Sequence, residues 1–150
     1  MDLAELIARE SIRATIARYN NAGDRGRIEE LVRCFAPDGV MQIDGEPETR
    51  GREAIQTRLA QVVVESGQRS AAPLVRHHVT NTHIEFESAQ AARVFSYFFV
   101  ITEIGPDHWG RYADRMRAVG DEWLFAQRRV TTEGASEQSS MGRRHRRSAN

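Results

Sequence analysis

The sequence has no lysine, and its 150 residues include a single cysteine, Cys34. Without lysine there is no amine for a Schiff base, which sets aside pyridoxal chemistry and aldolase-type catalysis. One cysteine excludes an internal disulfide and any multi-cysteine metal site. No apolar run reaches the roughly 18 residues of a membrane span. The opening "MDLAELIARE" is amphipathic and acidic, unlike a signal peptide, so a cytoplasmic location is expected, away from membranes. Charge of one sign is lacking too: 21 arginines balance 21 acids, which gives no basis for nucleic-acid or membrane-surface binding. The length suits one domain with one core.

The charge that is present is unevenly placed. From Gly134 onward, "GASEQSSMGRRHRRSAN" has no apolar periodicity and carries four of the arginines, leaving 17 against 20 acids in residues 1–133. The composition predicts a disordered Arg-rich tail over 134–150 and a single folded domain over 1–133.

Leu3, Leu6, Ile7, Ile12, Ile16 and Tyr19 follow helical spacing and predict a first helix, stopping near Asn20, Asn21 and Gly23. Ile28, Leu31, Val32 and Phe35 predict a short second helix that ends before Pro37. "GVMQID" reads as a strand. Ile55, Leu59, Val62 and Val63 mark a third helix, which Gly67 would terminate. After Pro73 the texture changes to four long strands, "LVRHHVTNTHIEFE", "AARVFSYFFVITEI", "WGRYADRMRAV" and "EWLFAQRRVTTE", separated by the turn-like "SAQ", "GPDH" and "GD". Helices followed by a meander predict an α+β fold, an antiparallel sheet with helices on one face.

Strand alternation aims the side chains. Val75, His77, Val79 and Asn81 share one face of the first long strand, and the valines mark it as the inner one. His78 then points out. In the third strand Arg111, Arg115 and Arg117 take the outer face, which turns Tyr112, Asp114 and Met116 inward. A carboxylate there is costly unless paired. The run "HHVTNTH" invites a metal site, but adjacent His77 and His78 diverge, and His77 and His83 stand ~20 Å apart at ~3.3 Å per residue. No metal is expected. Simple structural roles stay open for each candidate: His77 as a core histidine, Asp24 as a cap of the second helix, Tyr19 as a packed ring, Cys34 as a buried hydrophobe. Arg128 shares parity with Leu124, Ala126 and Val130, and is either an inward clamp or a strand end reaching solvent.

The segments "YNNAGDRGRIEELVRCFAPDGVMQIDG", "GREAIQTRL", "RHHVTNTHIEF" and "RYADRMRAVGDEWLFAQRRV" together resemble SnoaL-like members of the nuclear-transport-factor-2-like superfamily. The motif spacing is most similar to that of scytalone dehydratase, bile-acid dehydratase and hexachlorocyclohexane dehydrochlorinase. The resemblance spans roughly residues 3–131. It implies a cone-shaped, strongly curved antiparallel sheet whose N-terminal helices close an apolar pocket. It also implies an Asp–His dyad at Asp24 and His77, with Tyr19 as a further catalytic residue. Tyr112, Asp114 and Arg128 would meet the substrate. The dehydrochlorinase-type lysine is absent, and Thr102 stands near the place of the fungal enzyme's second histidine.

These features predict a cofactor-independent lyase, either a dehydratase-type elimination or a related isomerisation, acting on a small hydrophobic or cyclic substrate. His77 would be the general base and Asp24 its orienting partner; Tyr19 would polarise a carbonyl, and Asp114 would orient the substrate or protonate a leaving hydroxide. A noncatalytic ligand-binding domain or accessory subunit is the alternative, to be favoured if Phe95, Phe98 or Trp109 fills the pocket. The resemblance also implies a homodimer or homotrimer through the sheet, with Arg111, Arg115 and Arg117 facing acids such as Glu85 and Glu87.

Overall fold

A computed structural model describes residues 1–65 and 74–141. Helix α1 runs Leu3–Asp24, α2 Ile28–Val32 and α3 Arg52–Glu65; strands are β1 Phe35–Ile43, β2 Thr49–Arg50, β3 Val75–Ser88, β4 Ala91–Thr102, β5 Gly105–Val119 and β6 Glu122–Ala135. The six strands form one curved sheet in the order β2-β1-β6-β5-β4-β3. This is the expected α+β architecture, an open curved sheet, with one difference: its β1–β6 pair is parallel, with Phe35 opposite Phe125 and Met41 opposite Arg128.

Helix α1 is capped by Asp2, whose side chain accepts from the Glu5 N–H at 2.8 Å. It ends within the expected segment, at Asp24: the Asn20 carboxamide donates to the Ile16 carbonyl one turn back at 2.9 Å, so Asn20 stays inside the helix. Gly26, with φ of +67°, is the left-handed residue that ends it. This ending puts Asp24 in the last turn, where it reaches β3. Along α1, Ile12, Ile16 and Tyr19 are buried and Ala8 packs partly against the core, whereas Leu3, Leu6 and Ile7 remain exposed. Helix α2 is shorter than its periodicity predicts, because Phe35 already belongs to β1. The expected end of the third helix at Gly67 lies outside the described residues.

The core lies between the helices and the concave side of the sheet, around Ile12, Ile16, Leu31, Phe35, Ile55, Val94, Met116 and Phe125. A separate cluster of Phe98, Val100 and Tyr112, with Val75, Val79 and Val130 against it, covers the sheet toward the start of β3.

Three of the sheet's bulges bear on which side chains meet near the helices. In β3, Thr80 pairs with Tyr97 and His83 with Phe95, so one extra residue is inserted where Asn81 adopts φ of +55°. The alternation switches there. Thr82, rather than the expected Asn81, joins His77 and Val79, and His83 turns to solvent. In β5, Val100 pairs with His108 and Ile101 with Pro106, leaving Asp107 as the extra residue. The expected "GPDH" turn is therefore the start of β5. In β6, Met116 pairs with Phe125 and Arg115 with Gln127, leaving Ala126 extra. Phe125 and Arg128, three residues apart, then share one side.

The domain boundary expected at residue 133 falls inside β6. Beyond the strand, the Ser136 N–H donates to the Asp107 carbonyl at 2.8 Å, and Ser139 is completely buried. The segment through Met141 thus belongs to the folded unit, while the rest of the expected tail, 142–150, lies outside the described residues.

Candidate active site

Asp24 and His77 meet at the end of α1. His77 Nδ1 lies 2.5 Å from Asp24 Oδ1, and the His77 backbone N–H points at both carboxylate oxygens at 3.1 Å. An ionised carboxylate only accepts, so in the neutral form of the ring this contact places the proton on Nδ1 and leaves the Nε2 lone pair free for another partner. A carboxylate in the last turn of a helix opposes the helix dipole. The two contacts from β3 offset that cost and explain why the acid is held there. Asp24 is thus tied to β3 and not to the N-terminus of α2.

Beside the pair, Arg13, Ile16, Asn20, Val79 and Thr82 help line a groove of about 370 Å³ between α1 and β3. On the concave face the His77 ring adjoins the apolar cluster, since its cross-strand partner is Val100. The site therefore has an apolar floor, a bare imidazole nitrogen and several neutral hydrogen-bonding groups.

Tyr19, Tyr112, Asp114 and Arg128 gather in a second, sealed cluster. Arg128, fully buried, donates from Nε and Nη2 to the two Asp114 oxygens at 2.9 and 2.7 Å. Its guanidinium carbon lies 4.3 Å from the centroid of Tyr19, 3.9 Å from Tyr112 and 4.1 Å from Phe125. Burial by itself would disfavour the guanidinium charge; Asp114 outweighs it and holds the pKa above its ordinary value. Burial pushes the Asp114 carboxyl up, against the opposing pull of Arg128. Both tyrosine hydroxyls are raised by burial, with the Arg128 charge working the other way. Arg128 is therefore no strand end in solvent, and the bulge at Ala126 is what turns it inward. Asp114 points inward as alternation predicts, but both its oxygens are taken.

Asn20 connects the two clusters. It lines the groove, and its Oδ1 lies 3.5 Å from the Tyr112 hydroxyl. Neither it nor Thr82 was legible as a site residue. Asn20 reads as a helix stop, and Thr82 changes face only through the bulge; an asparagine inside a β-rich run, which tolerates a left-handed backbone, is the one signal of that bulge. The Cys34 thiol is fully buried and pushed up by that burial, so it stays protonated. Phe95 and Trp109 lie on the outer face, exposed by 43% and 44%, while Phe98 packs inside against Tyr112 at 4.6 Å.

A second carboxylate–imidazole contact occurs at Asp107 and His108, Nδ1 to Oδ1 2.7 Å. Neighbours in a regular strand point to opposite faces, and only the extra residue at 107 brings these two together. Among the described residues, no group of three or more His, Cys, Asp or Glu is placed to hold a metal.

An open, curved six-stranded sheet with helices on one side is the cystatin-like, nuclear-transport-factor-2-like fold. The model of the SnoaL-like domain matches residues 4–129, and the chain belongs to that family. Among solved structures it is similar to a putative scytalone dehydratase from Novosphingobium aromaticivorans DSM 12444, 24% identical over 91% of each chain with a TM-score of 0.78. It is similar to LinA, 19% identical over 91% of this chain and 95% of that one, TM-score 0.78. A protein from Catenulispora acidiphila solved in complex with S-DNPA is 27% identical over 83% of this chain and 92% of that one, TM-score 0.71. No curated protein matches the chain significantly. Among the described residues no helix is long and apolar enough to cross a membrane.

Proposed function

We propose that the protein is a cofactor-independent lyase, eliminating water from a cyclic small molecule or isomerising it, with His77 as general base and Asp24 as its orienting partner. The observation that carries this reading is the double anchoring of His77 on Asp24, which leaves Nε2 bare next to an apolar surface. In the elimination, Nε2 takes a proton from a carbon acidified by a neighbouring carbonyl. The C–H electron pair forms the new double bond as the C–O bond breaks. The imidazolium, stabilised by Asp24, returns its proton to the departing oxygen, so that water leaves and His77 is neutral again. In the isomerisation the same proton goes back to a different carbon of the enolate. Asn20 and Thr82, which line the groove, are the neutral groups available to the developing enolate oxygen. With both Asp114 oxygens engaged by Arg128, the sealed cluster serves to hold α1 and the sheet in place, Tyr19 and Tyr112 included.

The family's dehydratases and isomerases support this class of chemistry. The single buried thiol fits a reducing, cytoplasmic compartment. The noncatalytic alternative, an accessory subunit that docks through its sheet, draws support from the exposed aromatic outer face.

Purified protein assayed on hydroxylated cyclic ketones tests the reading. His77→Gln should lower kcat about 10²- to 10⁴-fold with the fold intact by circular dichroism. Asp24→Asn should lower kcat as well, since a carboxamide no longer fixes the tautomer or balances the imidazolium. His78→Ala, a residue stacked on Phe99 at 4.5 Å on the outer face, should keep full activity. Equal losses in the His77 and His78 variants, or full activity in Asp24→Asn, would reject the dyad.

A further inference from the structure

Helix α1 runs antiparallel to β3 along the groove. Asp24 meets His77 at one end, and further along Arg9 Nη1 donates to the Ile84 carbonyl at 3.3 Å. Between these two fastenings Arg13, Ala17, Asn20 and Asp24 follow i, i+4, i+7 and i+11, one stripe of the helix, and all four line the groove. At 1.5 Å per residue the Arg13 and Asp24 backbones stand ~16 Å apart. A contact of ~3 Å at either end leaves roughly 10 Å for a bound molecule, the length of about two rings.

The arginines on either side of Arg13 along α1 are engaged. Arg9 pairs with Glu5 at 2.7 Å and lies over the Phe86 ring at 5.1 Å, and Arg18 pairs with Glu122 at 2.9 Å. Arg13 differs: among the described residues its exposed guanidinium takes part in no hydrogen bond, ion pair or ring contact. Asp24, the acid that lines the groove, is taken by His77 at the other end. Ala17, with a single methyl as its side chain, leaves the space between Arg13 and Asn20 open. The groove thus has a polar reacting end, an apolar middle at Ile16 and Val79, and an uncompensated cation at the far end.

We propose that Arg13 is a specificity-determining residue that binds a carboxylate carried by the substrate, at the end away from the carbon deprotonated by His77. The planar guanidinium matches a carboxylate with two parallel N–H donors. Among the described residues no second cation lines the groove, and one arginine suits a single negative charge rather than the near-double charge of a phosphate group. The inference rests on the catalytic reading of His77 and narrows its substrate class to ketones of about two rings with an acid opposite the carbonyl. The charge also decides which way round the molecule enters. Reversed, its carboxylate would lie against Asp24 and its ketone against Arg13, a like-charge contact at one end and a lost ion pair at the other.

The test uses the full chain and two probes, 4-(4-oxocyclohexyl)benzoate and its carboxamide, which keeps the shape and removes the charge. Calorimetry reads affinity, and ¹⁵N NMR reads the His77 ring. The carboxylate should bind about tenfold more tightly at low salt, and the margin should shrink as ionic strength rises. Arg13→Gln should erase the margin and leave the carboxamide's affinity in place; the residue is exposed and unpaired, so the variant should fold as the parent does. Arg33→Gln removes the same charge from an exposed position that does not line the groove, and should keep the margin. Both probes should perturb His77. A margin that is absent, that survives in Arg13→Gln or that Arg33→Gln also erases, with both probes reaching His77, overturns the inference alone. A margin erased by Arg13→Gln with His77 unmoved upholds the contact with Arg13 and rejects the ketone reading. Binding of neither probe overturns both.

Discussion

At Arg128 a charge has been taken entirely out of water and returned to a protein environment made of one carboxylate and three rings. The bidentate contact with Asp114 and the aromatic faces offset a desolvation cost of several kcal/mol per ion, and the third guanidinium nitrogen, Nη1, has no hydrogen-bond partner among the described residues. Such a pair contributes little net stability while intact and a large penalty when halved. Arg128→Met should therefore destabilise the fold by about 3–5 kcal/mol in urea titration, because Asp114 is left buried and alone. Arg128→Met combined with Asp114→Leu should recover most of that loss. A double variant as unstable as the single one would mean that the rings, and not the buried carboxylate, set the penalty.

At the scale of the element, β5 and the segment after β6 are joined through Asp107. Removing residues 136–150 deletes the Ser139 hydroxyl and the Ser136 N–H from that carboxylate and its carbonyl, at an expected cost of about 1–3 kcal/mol. Removing 142–150 touches none of these contacts and should leave the melting temperature where it is. The same joint makes the fold acid-sensitive with a definite sign. His108 has a lowered pKa in the folded chain, so the unfolded chain takes up the proton first as pH falls below about 6.5, and stability is lost from there toward the folded value. Asp107 is also lowered, and its contribution is present above the ordinary carboxylate value near 3.8 and is lost as pH falls through the folded one. Thermal melts from pH 7 to 5 should thus show a decline that His108→Leu abolishes. An unchanged slope in that variant would place the acid sensitivity elsewhere.

For the whole molecule, the outer face of the sheet is the most conspicuous unpartnered surface. Phe95, Tyr97, Phe99 and Trp109 are exposed by 43%, 55%, 40% and 44%. Glu85 and Glu87, the acids expected to meet a neighbour's arginines, instead bind Arg93 of the same chain at 3.1 and 3.2 Å, Arg111 binds Glu133, and Arg117 binds Asp38. The proposed homodimer or homotrimer therefore depends on the aromatic patch and not on an exchange of charges. Sedimentation at micromolar concentration should show an assembly that Tyr97→Glu dissociates, with the melting of the monomer unaltered. A monomeric parent protein would remove the sheet as an interface.

The order of helices and strands follows from hydrophobic periodicity, and the inward aim of His77, Tyr112 and Asp114 follows from strict alternation, which local sequence controls wherever a strand is regular. What alternation cannot supply is a count of residues on the neighbouring strand. The bulges at Asn81, Asp107 and Ala126 are properties of pairing, and each reassigns a face: Thr82 into the groove, Asp107 and His108 to one side, Arg128 into the core. The meeting of Asp24 with His77 depends likewise on the helix end being placed against β3, which lies 53 residues away in the chain. The burial of Ser139 depends on an acid 32 residues away that only the folded sheet presents. The sequence by itself determined the class of fold and the types of side chain available for chemistry. The tertiary structure decided which of them meet, because register and helix termination are settled by contacts between segments far apart in the chain.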